Sequence, residues 1–501
     1  MDGGINWTAL GVFIFFFALV TVLGFIASRW QRGESDNGAH IDEWGLGGRN
    51  FGTWITWFLV GGDFYTAYTV IAVPALVYAV GAYGFFALPY TILVYPIVFL
   101  IMPKLWKVAH REGHVTAADV VYGRYGSRTL EFAVALTGVV ATMPYIALQL
   151  IGMEVVIKAL GLTGELPLAA AFAILALYTY SAGLRAPALI AFVKDIMIYI
   201  VVLVAVVLVP AKLGGYGAVF AHAHDAFAAK GGATGFTLKP AQFLPFATLA
   251  LGSALAAFMY PHTLTGIFAA RSADTIRKNA VFLPAYTVLL GLIALLGFMA
   301  YAAGISVKSN NDVVPALFNT LFPSWFTGFA FAAIAIGALV PAAVMSIGAA
   351  NLFTRNFWKP YVAPDITAAG QEKVAKVISL AVKFGALIFI LFLPTKFALD
   401  LQLLGGLWIL QTFPSVVFGL FSNRLRAPAL LAGWLIGLAV GSWWAISDGL
   451  KPVHTLHLGA ANITLYTGLL ALVLNVAVAT VVQLVLGKRG DPTPRLRNTV
   501  G

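Results

Sequence analysis

Four stretches of this chain, at positions 10–27, 196–211, 286–303 and 465–486, contain no Asp, Glu, Lys or Arg. Each approaches or reaches the roughly 20 apolar residues that a helix needs to cross about 30 Å of hydrocarbon. Backbone polar groups at that depth must be satisfied within the segment, so such runs are read as membrane-spanning helices. Composition makes the reading general: 60% of the 501 residues are hydrophobic and 10% are charged, with a mean hydropathy of +0.89. A water-soluble chain of this length has too little interior to hide that much apolar surface. The first run lacks a small-residue cleavage site and leads into a basic, acidic and glycine-rich stretch, so it is read as a retained helix rather than a signal peptide.

Hydropathy and Pro/Gly punctuation place helices at about 6–28, 52–80, 83–103, 130–160, 166–181, 187–211, 241–262, 279–304, 324–352, 374–395, 398–421, 427–447 and 464–487. When alternate loops are assigned to opposite sides, 22 Lys and Arg fall on one side and 7 on the other, and Lys194 and Lys383 lie inside helices. Basic loops stay cytoplasmic, so the asymmetry predicts an odd number of spans with the N-terminus outside and the C-terminus inside. It also explains the net charge of +11 without a nucleic-acid partner. The expected fold is an all-α integral membrane protein of about thirteen transmembrane helices, forming one domain over 1–501 in a cell membrane, the inner membrane for a bacterium. The loop at 213–239, with His222 and His224, and the basic tail 488–501 are expected to be flexible or surface-lying connections.

An ionisable or strongly polar group at membrane depth is costly unless it faces a cavity or a partner, so each one is a candidate for function. Asp63 lies in Val60-Gly61-Gly62-Asp63-Phe64-Tyr65-Thr66-Ala67-Tyr68-Thr69, where glycines, a carboxylate and hydroxyls interrupt the second helix. That composition suits an unwound segment whose free carbonyls and carboxylate hold a small hard cation; a polar helix entry exposed to water is the other reading. The fourth helix carries Thr142, Tyr145, Gln149 and Glu154. Gln149 can hydrogen-bond a polar solute or a neighbouring helix, and Glu154 is placed as a solvated charge at the outer end. In the seventh helix, Gly252-Ser253-Ala254-Leu255-Ala256-Ala257-Phe258 followed by Tyr260-Pro261-His262 allows close backbone approach and a second break. His262 is either a group titrating near neutral pH or a structural helix-end residue.

The chain has no cysteine, which excludes disulfides, thiolate metal sites and cysteine nucleophiles. It has no GxxxxGK[ST] phosphate loop, no histidine spacing suited to a metal and no nucleophile elbow. These absences argue against an enzyme, an ATP-driven pump or a bound cofactor, and nothing suggests an obligatory protein partner.

Several segments, in order along the chain, resemble the sodium:solute symporter family. They are Glu43-Trp44-Gly45-Leu46-Gly47-Gly48-Arg49, Gly113-His114-Val115-Thr116-Ala117-Ala118-Asp119 with Gly123-Arg124-Tyr125-Gly126, Tyr180-Ser181-Ala182-Gly183-Leu184-Arg185-Ala186 leading to Lys194-Asp195, and Tyr260-Pro261-His262 with Ala269-Ala270-Arg271. Within the family, the segments Ala141 to Leu150, Asp63 to Tyr68 and Pro341 to Asn356 are similar to the bacterial monocarboxylate permeases, which carry lactate, pyruvate and related small acids and sometimes alanine.

The resemblance implies a LeuT-like fold, with inverted five-helix repeats at about 52–211 and 241–421, one extra N-terminal helix and two trailing helices, and with the first helix of each repeat broken at the substrate site. It implies a secondary active symporter that takes up a small organic acid by alternating access, coupled to sodium, with proton coupling through Asp63 or Asp195 as the alternative. A transporter-like membrane sensor is a further alternative, although no loop is long enough for a folded signalling domain. The substrate-binding candidates are Gln149, Tyr145, Thr66, Phe64, Phe258 and Lys194. The ion-binding candidates, where sodium is expected, are Asp63, Gly62, Ala343, Ser346 and Asp195. Two positions depart from the family: Val340 and Pro341 stand where a Ser/Thr pair is usual for sodium, and Lys194-Asp195 stands in place of Thr-Asp, so that Lys194 can pair with Asp195 or with an anionic solute.

Overall fold

The computed structural model describes residues 4–29, 40–62, 65–164, 166–231, 235–392, 398–459 and 461–487. Among these, nine helices are long and apolar enough to span a bilayer: Trp7–Ile26, Ala82–Glu112, Arg128–Ala159, Arg185–Lys212, Pro240–Ala257, Ala273–Ala302, Ser324–Val362, Ala427–Ser447 and Thr467–Leu486. Leu399–Leu410 and Phe413–Leu420 form a further pair, bent by 49°. The remaining expected spans fall on the interrupted segment from Thr53 to Val80, on Leu166–Ala182, and on Ala368–Phe392.

Burial sorts these helices into layers. From Ala330 to Leu352 every residue of the helix Ser324–Phe353 is buried, so it forms the axis of the bundle. It is uniformly apolar and rich in Ala and Gly, and small residues let neighbouring backbones approach where no hydrophobic gain distinguishes protein from lipid. A Cβ on Gly328 would lie 2.2 Å from the Ala9 carbonyl oxygen, and one on Gly348 would lie 2.8 Å from Pro261. The peripheral helices instead turn large side chains outward: Phe15, Trp443 and Val485 are 64%, 69% and 82% exposed, as lipid-facing residues should be.

Two connections carry regular structure. The loop at 213–239 contains a fifteen-residue helix, Tyr216–Lys230, flanked by Gly215 and Gly231 in positive-φ conformations. Its Val219, Ala223 and Phe227 lie on one face and are buried, and Phe227 packs edge-on against Tyr301 at 5.2 Å. The helix therefore lies along the surface, a possibility that its Gly/Ala content had left open. Between the last two spans, where only a loop was expected, Val453–Leu458 and Ala461–Tyr466 pair as an antiparallel hairpin. Gly459 turns with φ 61°, and the Thr455 and Thr464 hydroxyls meet at 2.9 Å. Six-residue strands are too short for a transmembrane signal and too polar to be read as buried ones.

One end of the bundle gathers the motif residues. Asn356 donates from Nδ2 to Asp119 Oδ1 and to Glu131 Oε1, both at 2.8 Å, and its Oδ1 accepts from the Thr116 hydroxyl at 2.7 Å. Thr116 and Asp119 form a capping box that starts the helix Ala117–Tyr125. Leu184 N–H donates to Trp44 O at 2.9 Å, Asn351 donates to Gly45 O at 3.2 Å, and Arg185 pairs with Glu43. A Cβ on Gly183 would lie 2.2 Å from the Trp44 carbonyl oxygen, and Gly183 has φ 57°. Segments hundreds of residues apart thus meet through glycines and backbone carbonyls.

Candidate functional site

Two spans are broken at mid-bundle. In the first, a π-helical turn, Trp57–Gly61, ends at Gly62, and a second π-helical turn, Tyr68–Ala72, leads into Val73–Val80. Both π turns flank the break, a common accompaniment of a functional site. The expected contributions of Asp63 and Phe64 lie outside the described residues.

The break has a carbonyl end and an amide end, and each is satisfied by side chains. At the carbonyl end, Lys194 Nζ donates to Gly62 O at 2.6 Å and to Tyr65 O at 3.1 Å, and it pairs with Asp195 Oδ1 at 2.9 Å. Lys194 and Asp195 are both fully buried. The other carboxylate oxygen of Asp195 accepts from the Tyr286 hydroxyl at 2.7 Å, while Tyr65 donates to Tyr286 O at 3.3 Å. The glycines provide the room. A Cβ on Gly62 would lie 2.9 Å from Lys194 Nζ, and one on Gly61 would lie 2.4 Å from the Tyr286 ring. Two of the ammonium's three N–H donors are spent on the Gly62 and Tyr65 carbonyls, and its charge faces the Asp195 carboxylate. The sequence had offered Lys194 either as a partner of Asp195 or as a ligand for an anionic solute; in this structure it lies against Gly62 O and Asp195.

At the amide end, Gln149 Oε1 accepts from Ala67 N–H at 3.1 Å, Thr66 Oγ1 from Tyr68 N–H at 3.0 Å, and Thr69 Oγ1 from Thr66 N–H at 3.0 Å. These contacts do the work of N-caps for the half-helix that follows. Gln149 Nε2 also reaches Tyr145 O on its own helix at 3.4 Å. Gly152, where a Cβ would lie 2.2 Å from Ala67 Cβ, lets the helix Arg128–Ala159 come this close. In this arrangement Gln149 and Thr66 cap backbone.

The second break lies between Ala257 and Pro261, with Tyr260 extended at φ −62°, ψ 141°. Tyr145 stands beside it, its ring 5.3 Å from Tyr260 and 5.4 Å from His262. Phe258 is fully buried and lies 6.0 Å from Phe413. Tyr260 spends its hydroxyl proton on Gln402 O at 2.9 Å. Tyr68, whose ring lies 6.4 Å from that of Tyr90, has no hydrogen-bond partner for its hydroxyl among the described residues, and neither do His262 Nδ1 or Ser253 Oγ. Buried polar atoms are nearly always paired, so the unpaired His262 Nδ1 beside the break is a candidate contact for a polar ligand. Tyr68 was missed from the sequence. Its signal was a hydroxyl on the inner side of the glycine-marked break. A cavity of about 20 Å³ is lined by Met259, Pro261, Thr265, Gly348 and Asn351 among others.

Ala343 and Ser346 are not joined to the Gly62 cluster. The Ser346 hydroxyl donates to Ala343 O at 2.8 Å and accepts from Ser379 at 3.0 Å, and Ser379 in turn accepts from the fully buried Lys383. The central helix meets the first break at Gly337 instead, where a Cβ would lie 3.7 Å from Tyr65 O. Ser346 is nine residues further on, or about 13 Å along the axis. Its side chain is turned toward Ala368–Phe392.

A helical bundle with two interrupted helices, whose break points carry a buried ion pair and unpartnered polar groups, is the architecture of a secondary transporter. The chain belongs to the sodium:solute symporter family: the family model matches residues 44–437. It is 71% identical to the "Monocarboxylate transport permease protein" of Rhizobium johnstonii over 97% of this chain and 98% of that one. It is also 34% identical to the "Uncharacterized symporter YodF" of Bacillus subtilis over 98% of both chains. Among solved structures, a Na+-coupled sialic acid symporter in a substrate-bound outward-open state superposes with a TM-score of 0.78, covering 97% of this chain and 99% of that one at 13% identity. At that identity the likeness establishes the fold.

Proposed function

We propose that this protein takes up a small monocarboxylate, of the lactate or pyruvate class, by cation-driven symport across a bacterial inner membrane. The single observation that carries the substrate class is the relative named as a monocarboxylate permease, 71% identical over nearly the whole of both chains. The site agrees with it. Tyr68, His262 and Ser253 offer a few polar atoms among aromatic rings, enough to orient a two- or three-carbon acid and too few for the many hydroxyls of a sugar. Tyr145 and Phe258 are the proposed walls, Gln149 and Thr66 hold the shape of the break, and Phe64 is proposed to complete the pocket.

Family membership supports sodium as the driving ion. A second reading, in which protons drive uptake, is favoured by the buried Lys194 and Asp195 pair at the carbonyl end of the break. The proposed topology has thirteen spans with inverted repeats at about 52–211 and 241–421, the N-terminus outside and the C-terminus in the cytoplasm, and no catalytic function.

The test is uptake of labelled lactate, pyruvate, acetate and alanine into proteoliposomes, with sodium and pH gradients imposed separately. Saturable uptake of lactate or pyruvate, each competing with the other, is expected. Equal competition by hexoses would refute the monocarboxylate assignment.

A further inference from the structure

We propose that the cation held by the first helix break is the ammonium of Lys194 itself, and that sodium does not bind at the Gly62 and Tyr65 carbonyls. The inference deepens the symporter reading above: where sodium drives uptake, it is coordinated elsewhere in the molecule.

The argument begins from the broken helix. Interrupting a helix frees the carbonyls of its first half, and the negative end of that half's dipole points at the gap. Gaps of this kind in transporters are cation sites, in which backbone oxygens replace the ion's hydration shell. Here the gap is filled from within the chain. Lys194 Nζ lies 2.6 Å from Gly62 O, 3.1 Å from Tyr65 O and 2.9 Å from Asp195 Oδ1. Two of its donors meet the carbonyls of the helix break, and the charge is balanced by the adjacent carboxylate. Tyr286 holds the second carboxylate oxygen at 2.7 Å, so the carboxylate is fixed on both sides.

Among the described residues, three further observations argue against a sodium ion at the same oxygens. The side chains of Lys194 and Asp195 have no solvent exposure, so a second cation touching both carbonyls would face the ammonium without water to screen it. The central helix presents Gly337, which has no side-chain oxygen, to Tyr65 O, and the Ser346 hydroxyl lies nine residues further along that helix, where it accepts from Ser379. The absent side chain of Gly62 is what admits the ammonium, since a Cβ there would lie 2.9 Å from Nζ. A hard cation needs several oxygens converging on one point. Among the described residues, those of the break surround a nitrogen.

The test compares the thermal midpoint of the purified full-length protein in sodium chloride and in choline chloride at equal ionic strength. Lys194→Ala leaves two carbonyls and a carboxylate around a hole, and it should gain a saturable sodium-dependent upward shift that exceeds any shown by the wild type. Lys194→Met keeps the slot filled without charge and should gain none. A sodium response in Lys194→Ala that equals or falls below that of the wild type would overturn the proposal. A second measurement needs no variant: a cryo-EM structure of the wild type at high sodium should show side-chain density running from Lys194 to both carbonyls. A separate density peak between Gly62 O and Tyr65 O, with Lys194 turned away, would equally overturn it. Failure of wild-type lactate uptake would refute the substrate reading and leave both measurements interpretable.

Discussion

Glycines at the first break act by what their missing side chains admit. A Cβ at Gly61 would meet the Tyr286 ring at 2.4 Å, whereas one at Gly11 on the outer face of the first helix would meet nothing within 4 Å. Forcing a methyl into a packed core typically costs about 1–3 kcal/mol. Gly61→Ala is therefore expected to lower the thermal midpoint and depress uptake, because Tyr286 must withdraw from Asp195. Gly11→Ala should leave both unchanged; thermal scanning of the two variants side by side checks this, and equal midpoints would remove the packing argument. Gln149 gives a second case at this scale. Its Oε1 is the acceptor for the buried Ala67 N–H, and a buried donor left unpaired costs about 1–3 kcal/mol. Gln149→Ala should thus destabilise the protein as well as weaken uptake. A loss of uptake with an unchanged midpoint would instead assign Gln149 to direct solute contact.

Among the elements, the short helix Ala117–Tyr125 acts as a latch between distant parts of the chain. Asp119 accepts from Val115 N–H at 2.8 Å and from Thr116 N–H at 3.2 Å, receives Asn356, and lies 3.5 Å from the Arg355 guanidinium. Burial alone would raise its carboxyl, but Arg355 and the Val115 N–H outweigh burial and hold it below the usual carboxylate range. A depressed folded-state value means that the ionised form contributes stability above the unfolded value, near 4, and that this contribution is lost as pH falls through the lower folded value. Asp119→Asn should therefore melt earlier than the wild type at neutral pH. The gap between them should narrow only below about pH 4. Melting curves of both proteins across that range provide the check, and a gap independent of pH would show that the charge of Asp119 is not what holds the latch.

For the whole molecule, orientation follows from the basic-residue asymmetry and can be read directly because the chain has no cysteine to remove. Asp225 lies on the surface helix Tyr216–Lys230, and Lys278 lies on Ala273–Phe282 at the opposite kind of loop, and both side chains are well exposed. In intact cells a membrane-impermeant maleimide should label Asp225→Cys and spare Lys278→Cys, and inverted vesicles should reverse the pattern. Labelling of Lys278→Cys in intact cells would invert the proposed topology.

The sequence by itself determined the class of protein, the approximate helix positions and the first break point. Hydrocarbon imposes a length and a polarity on every span, and both are local properties of the chain. Gly61-Gly62 was legible for the same reason, since a break needs residues that abandon the helix at that position, whereas the second break was sought among the small residues from Gly252 and lies just beyond them, before Pro261. The partners of the freed backbone groups were decided only by tertiary structure. Gly62 O and Lys194 are 132 residues apart and Ala67 and Gln149 are 82 apart, and no periodicity in a sequence records which distant side chain will fill a gap. Ser346 shows the same limit: its position on the central helix could be estimated from the sequence, but the face it presents depends on how that helix packs, and packing turns it toward Ser379. The hairpin at 453–466 went unread because its strands are stabilised by each other across a turn, while each alone is a short polar segment.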